Sequence, residues 1–290
     1  MQEVVGLDIQ TLRHLLQTHV VGVGDRIVYE PEVASTNTLA MRLAHERPEE
    51  GLVVLTDSQT AGKGRQGRRW VDTPGCNVIS STLLRPLFPP HLLVMVASLA
   101  VVEAIARTCD VQATIKWPND VLIEDRKVCG ILIETCHDSN GRLIAVLGIG
   151  INANGYLRGK VEQKGVEVEL STIATTLETA CGHPVPREEL LARLLLAIEN
   201  DYLALQQEAM KPPVATSSER PVAHLIRERW QNHLSTLGRT ITVHQGDRLI
   251  EGVAEAVDDN GELLLRRHSG ELVCITWGVV EHFSRLATYP

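Results

Sequence analysis

Apolar residues in the first half of the chain fall into short runs broken by turn formers, and the type of run changes along the sequence. Residues 26–33 (RIVYEPEV) predict a strand. Residues 35–46 (STNTLAMRLAHE) predict a helix whose start offers Ser35, Thr36 and Asn37 as capping side chains. Residues 51–59 (GLVVLTDSQ) form a continuous apolar strand that turns polar at its end. Residues 77–85 (NVISSTLLR) form another strand, and residues 92–109 predict a long buried helix.

A meander follows. ATIKW (113–117) leads through Pro118 into VLIE (121–124), and a tight turn at Asp125-Arg126 reverses the chain into KVCGILIET (127–135). HDSNG (137–141) turns it again into RLIAVLGIGIN (142–152). Connections this short join antiparallel neighbours and leave no room for a crossover helix. The expected fold is therefore α+β, a mixed or antiparallel sheet with packed helices. Helices are expected at 173–181, closed by Gly182, at 187–208 and at 227–234, with an exposed Pro/Ser-rich loop at 211–221. Beyond Gly238 apolar and polar residues alternate between turns at Gln245-Gly246, Asp259-Asn260-Gly261 and Ser269-Gly270, which predicts a small second domain, an all-β barrel. The expected organisation is a short N-terminal segment (1–25), a main domain (26–236) and the barrel (237–290).

Composition narrows the functional classes. The chain has 290 residues, 44% of them hydrophobic, and a net charge of −8. A general nucleic-acid or membrane-surface binder is usually basic, so local basic patches stand out here. Six cysteines without a C-x-x-C pair argue against a thiolate zinc site and a disulfide framework, and the histidines form no H-E-x-x-H pattern. The N-terminus has no long apolar signal core, and the apolar run at 92–102 is too short for a membrane span, so a soluble, cytoplasmic protein is expected.

Against that acidic background stands QTAGKGRQGRRW (59–70), which contains G-x-G-x-x-G at Gly62, Gly64 and Gly67. A dinucleotide-binding loop would need a strand abutting Gly62, a helix opening at Gly67 and an acidic residue some twenty positions on, where Leu87 stands. Walker A and kinase loops fail as well. What remains is a flexible backbone bearing Lys63, Arg65, Arg68 and Arg69, suited to phosphate or carboxylate oxygens; a solvated basic loop explains the same charge equally well. KWPND (116–120) adds weight, because turn chemistry explains Pro118, Asn119 and Asp120 but not the adjoining Lys116 and Trp117. In GIGIN, Gly148, Gly150 and Asn152 alternate onto one strand face and leave a bare patch for a flat ligand, although a bulge or close packing accounts for the two glycines as readily.

Taken together, STN, QTAGKGRQGRRW, KWPND, DRKVCGILIE and GIGIN occur in an order and spacing that resembles the biotin protein ligases, the biotin–[acetyl-CoA-carboxylase] ligase family, from about Arg26 to the C-terminus. The resemblance implies a catalytic domain like those of lipoate ligases and class II aminoacyl-tRNA synthetases, followed by an SH3-like barrel. It implies an ATP-dependent ligase that, with Mg²⁺, forms biotinyl-5'-AMP and transfers biotin to a lysine of a biotin carboxyl carrier protein.

Residue by residue, the resemblance places biotin at Ser35, Thr36, Asn37, Gln59, Gly62, Lys63, Gly64, Arg65 and Lys127, and the adenylate at Arg65, Trp70, Lys116, Asn119, Gly150 and Asn152. Lys63 departs from the family's usual Arg, which a backbone role would tolerate. Arg65, Lys127 and Asp120 are the catalytic candidates, Asp120 also as a metal ligand or loop anchor; Arg285 is set aside because reaching it requires a gap. Some relatives carry a DNA-binding domain of roughly 60 residues ahead of the catalytic part, and a 25-residue leader is below the size of a stable domain, so no DNA partner is expected. No membrane partner is expected either, and monomer and homodimer both remain open. A lipoate ligase and a non-catalytic biotin sensor are the rival readings.

Overall fold

Strands buried on both faces need cover on both sides, and helices supply it. The computed structural model describes residues 6–46, 49–163, 166–211 and 221–282. After α1 (Ile9–Leu15), strands β1 (Ile27–Val33) and β2 (Val53–Gln59) are joined by α2 (Thr36–Glu46). Then come β3 (Val78–Leu84), α3 (His91–Cys109), β4 (Thr114–Lys116), β5 (Asp120–Ile123), β6 (Arg126–His137) and β7 (Leu143–Ile151). These strands form one seven-stranded sheet in the order β1-β2-β3-β7-β6-β5-β4. In this sheet only β1 and β2 pair in parallel, because α2 is a crossover; short turns make β4–β5, β5–β6 and β6–β7 antiparallel, and β2–β3 and β3–β7 are antiparallel as well. The sheet is mixed, as expected.

Side-chain alternation divides the core. Val78, Leu84, Ala145, Leu147, Ile149 and Ile151 face α3, and α3 is buried along most of its length rather than exposed to any apolar medium. On the other face Leu83, Ile144 and Val146 meet Ala40 and Ala44 of α2. That second cluster is small, and where α2 begins the same face becomes polar.

A hairpin, β8 (Lys160–Gln163) and β9 (Val166–Glu169), precedes α4 (Leu170–Ile173), α5 (Leu177–Cys181), α6 (Arg187–Met210) and α7 (Val222–Asn232). The single helix expected at 173–181 is broken. Ala174 bridges to Lys127, Thr175 N–H donates to the Lys127 carbonyl at 2.9 Å, and Thr176 recaps the chain by accepting from Thr179 N–H at 3.1 Å. A capping threonine between two half-turns favours a break over continuity. The expected Gly182 closure is present, with φ 81°. The β5–β6 turn centres on Glu124 and Asp125 (φ 51° and 61°), one residue earlier than expected, so β6 already starts at Arg126. Helix α7 starts five residues before the expected 227 and stops at Asn232. Arg285 and residues 212–220 of the Pro/Ser-rich segment lie outside the described residues.

Strands β10 (Thr240–Gln245), β11 (Arg248–Val257), β12 (Leu263–Arg266), β13 (Leu272–Ile275) and β14 (Val279–His282) form an antiparallel sheet of order β13-β12-β11-β10-β14. Its apolar interior is continuous with the main core. The Trp117 indole donates to the Gly261 carbonyl at 2.9 Å and Trp117 N–H to Thr236 Oγ1 at 3.0 Å, so the barrel grips the cis Trp117–Pro118 turn.

The leading segment is anchored as well. Leu7, Leu12 and Val21 enter the main core. Glu199 of α6 accepts from the backbone N–H groups of His19, Val20 and Val21 at 2.6, 2.8 and 2.7 Å. Nearby, the buried Asp57 carboxylate holds Arg187 at 2.8 Å and Leu7 N–H at 3.3 Å. Glu199→Ala should leave those three donors without their partner and lower stability by about 2–3 kcal/mol. Urea unfolding checks this through a lower midpoint at unchanged slope.

Candidate active site

The glycine loop is a narrow hairpin. Gly64 N–H donates to the Arg68 carbonyl at 2.7 Å, Trp70 N–H donates to the Gly62 carbonyl at 3.0 Å, and Lys63 bridges to Arg69. A Cβ on Gly62 would stand 2.7 Å from the Trp70 carbonyl oxygen, and Gly67 has φ 73°, so the spacing of these glycines answers to the turn itself. No helix opens at the third glycine, only a short 3-10 turn at Arg65–Gly67. The dinucleotide fingerprint is thus excluded by geometry as well as by context.

The hairpin stands over the polar end of the α2 face of the sheet and borders a half-open cleft. At one end lie Ser35, Thr36 and Asn37, all buried at the start of α2, with Gln59 from the end of β2. Gln59 Oε1 accepts from Thr36 N–H at 2.9 Å. Ser81 Oγ donates to Asn37 Oδ1 at 2.6 Å and lies 2.7 Å from Thr36 Oγ1. Asn37 Nδ2 donates to Glu134 at 2.9 Å. The result is a small, dense array of amide and hydroxyl donors and acceptors, backed by the Glu134 carboxylate.

Lys63, Gly64, Arg65, Trp70, Asn119, Lys127 and Gly150 also line it. Three glycines of β6 and β7 form the floor, paired across the strands with one another and with Ser81: Gly130 opposite Gly150, and Gly148 opposite Ser81. The bare patch anticipated at Gly148 and Gly150 is covered by the protein's own side chains. A Cβ on Gly148 would fall 2.1 Å from Asn37 Oδ1, and one on Gly150 only 2.7 Å from the Trp70 ring. Trp70 Nε1 is buried there without a hydrogen-bond partner, and Lys127 Nζ stands 5.9 Å over the indole.

The other end is cationic. Arg65 donates to Asn119 Oδ1 at 2.7 Å, Asn119 Nδ2 donates to the Ile131 carbonyl at 2.7 Å, and Lys127 pairs with Asp120 at 2.6 Å. Burial lowers the proton affinity of Arg65, against which the Asp120 charge acts. Burial also lowers that of Lys116, opposed by Asp120 and reinforced by Lys127 and Arg68. Asp120 is shared among these cations, and one carboxylate already paired with Lys127 does not fit a magnesium ion held by protein oxygens.

Gly62, Lys116, Asp120 and Asn152 lie outside the cleft lining. Asn152 follows the end of β7, and its buried amide is spent on the Thr175 carbonyl at 3.2 Å. Gly130, Ile131 and Leu132 line the cleft, and Ser81 and Glu134 bond Asn37 from behind it, without any of them having been a candidate from the sequence. A run of three hydroxyl residues, Ser80 to Thr82, inside the buried β3 was the available signal for Ser81.

Residues 29–152 match the Biotin/lipoate A/B protein ligase family and residues 236–282 match the Biotin protein ligase C terminal domain. The chain is 33% identical over 244 residues to the biotin--[acetyl-CoA-carboxylase] ligase of Paracoccus denitrificans, across 82% of this chain and 93% of that protein. It is 31% identical over 262 residues to the bifunctional ligase/repressor BirA of Bacillus subtilis, across 89% of this chain and 74% of that protein. The chain belongs to the biotin protein ligase family. A solved structure of the biotin protein ligase from Aquifex aeolicus in complex with biotin and ATP superposes with a TM-score of 0.70 at 25% identity, across 90% of this chain and all of that one.

As a member of the biotin protein ligase family, the protein is an enzyme of the ligase class with an SH3-like C-terminal barrel. The C-terminal match begins at Thr236, whose hydroxyl accepts from Trp117 N–H at 3.0 Å, so the family's second module buttresses the KWPND turn. Gly150→Ala should drive Trp70 off the strand. The check is a shifted Trp70 indole N–H resonance and greater acrylamide quenching at little cost in unfolding midpoint; an unmoved resonance contradicts the packing.

Proposed function

We propose that the protein is an ATP-dependent biotin protein ligase that forms biotinyl-5'-AMP and then biotinylates one lysine of the biotin carboxyl carrier domain of acetyl-CoA carboxylase or a related carboxylase. One observation carries this reading. A single cleft has a compact array of amide and hydroxyl groups at one end, suited to a ureido head group, and Arg65 and Lys127 at the other, suited to a carboxylate and a phosphate. Relatives named for biotin ligation, and the Aquifex aeolicus protein crystallised with biotin and ATP, support it.

In the first step the biotin carboxylate oxygen attacks the α-phosphorus of ATP and pyrophosphate leaves. Two anions must approach, and preformed cations lower that cost without reorganising. Lys127, held by Asp120, faces the forming anhydride; Arg65, held by Asn119, clamps it from the loop. Magnesium would come with the nucleotide substrate and neutralise phosphate charge there. In the second step the carrier lysine amine attacks the acyl carbon and AMP leaves with the bonding pair. Between the steps the glycine hairpin shields the anhydride from water.

Biotin-dependent pyrophosphate release from ATP, with lipoate as control, tests the reading; release with lipoate and none with biotin would replace it with a lipoate ligase, and binding of biotin without any release would leave a sensor. Lys127→Ala should cut adenylate formation by about 10²–10³ with the fold intact. Arg65→Gly removes a charged hydrogen bond on the loop and should raise labelling of lysines on a bystander protein by about tenfold or more. Unchanged selectivity counts against the clamp.

A further inference from the structure

Strand β6 turns Gly130, Leu132 and Glu134 toward the α2 face, Glu134 opposite Val146 of the small apolar cluster. A carboxylate beside that cluster is costly unless its oxygens are satisfied. Both are, and by partners on different parts of the site. Oε2 accepts from Asn37 Nδ2 at 2.9 Å, in the polar head of the cleft. Oε1 pairs with Lys63 Nζ at 3.1 Å, on the glycine hairpin.

We propose that Glu134 is a positioning residue that latches the glycine loop to the head-group end of the cleft through Lys63 and Asn37. The proposal rests on the reading of the cleft as the biotinyl-adenylate site, and it gives Lys63 a side-chain role beyond its backbone. Asn37 Oδ1 accepts from Ser81 at 2.6 Å, so Glu134 fixes the amide's orientation: a flipped amide would set its oxygen against the carboxylate. A ligand that orders Asn37 orders Glu134, and Glu134 in turn holds Lys63 and the loop. The Lys63 side chain is 44% exposed, so this ion pair is weak and readily broken, as a loop that opens in every turnover requires.

The roles separate by substitution in the full-length protein. Glu134→Gln keeps an acceptor for Asn37 and removes the charge that holds Lys63; Glu134→Ala removes both. After confirming wild-type biotin-dependent pyrophosphate release, the escape rate of preformed adenylate and the biotin KM are measured for each variant and for Lys63→Gln. Glu134→Gln and Lys63→Gln should each speed escape about two- to fivefold, the double variant no more than either alone. Glu134→Ala should in addition raise biotin KM about tenfold. Wild-type escape in both Gln variants, or fully additive effects, overturns the latch while leaving the ligase reading intact; no biotin-dependent release by the wild type overturns that reading instead. A loss of stability that lowers kcat alone in Glu134→Ala, with KM and escape unmoved, also overturns the latch.

Discussion

Asn37 lies against Gly148 and the Trp70 indole against Gly150, so closely that a Cβ on either glycine would stand 2.1 or 2.7 Å from its neighbour. This side-chain-free strip of sheet is what permits a cleft at all. With ordinary residues there, α2 would be lifted from β7 and the glycine hairpin would have no floor to rest on. The same strip sets Ser81, paired across the strands with Gly148, within reach of both Thr36 and Asn37. Polar head and covered floor are consequences of one backbone surface.

Charge is then distributed around that surface in restrained pairs. Lys63, Arg65 and Lys127 each have a named partner, in Glu134, Asn119 and Asp120. Such partners orient the cations and lessen the repulsion among them, as in a preorganised site. The barrel takes part at a distance: by holding Trp117 from Thr236 and Gly261 it steadies the turn that presents Asn119 and Asp120. An acidic protein with a basic loop is no contradiction when the loop's charge is used locally.

Much of this was legible in the residues alone. Period-two and period-3.6 patterning marked the strands and long helices, short turns required antiparallel neighbours, and the motif order identified the family. Boundaries governed by a single cap or turn were less visible. The break at Ala174 depends on a bridge to Lys127, a residue 47 positions away in the chain, which no local propensity encodes.

Local sequence therefore established the elements, the mixed α+β class and the chemical character of the loop and turn motifs, because period, capping and turn preference act over a few residues. Folding settled the rest. It put Trp70 on a strip that looked open, set Glu134 and Ser81 behind the cleft as partners of Asn37, and spent Asn152 on the Thr175 carbonyl outside it. Those outcomes depend on register between distant strands and on which side chain reaches a bare backbone first, and neither quantity exists until the sheet is assembled.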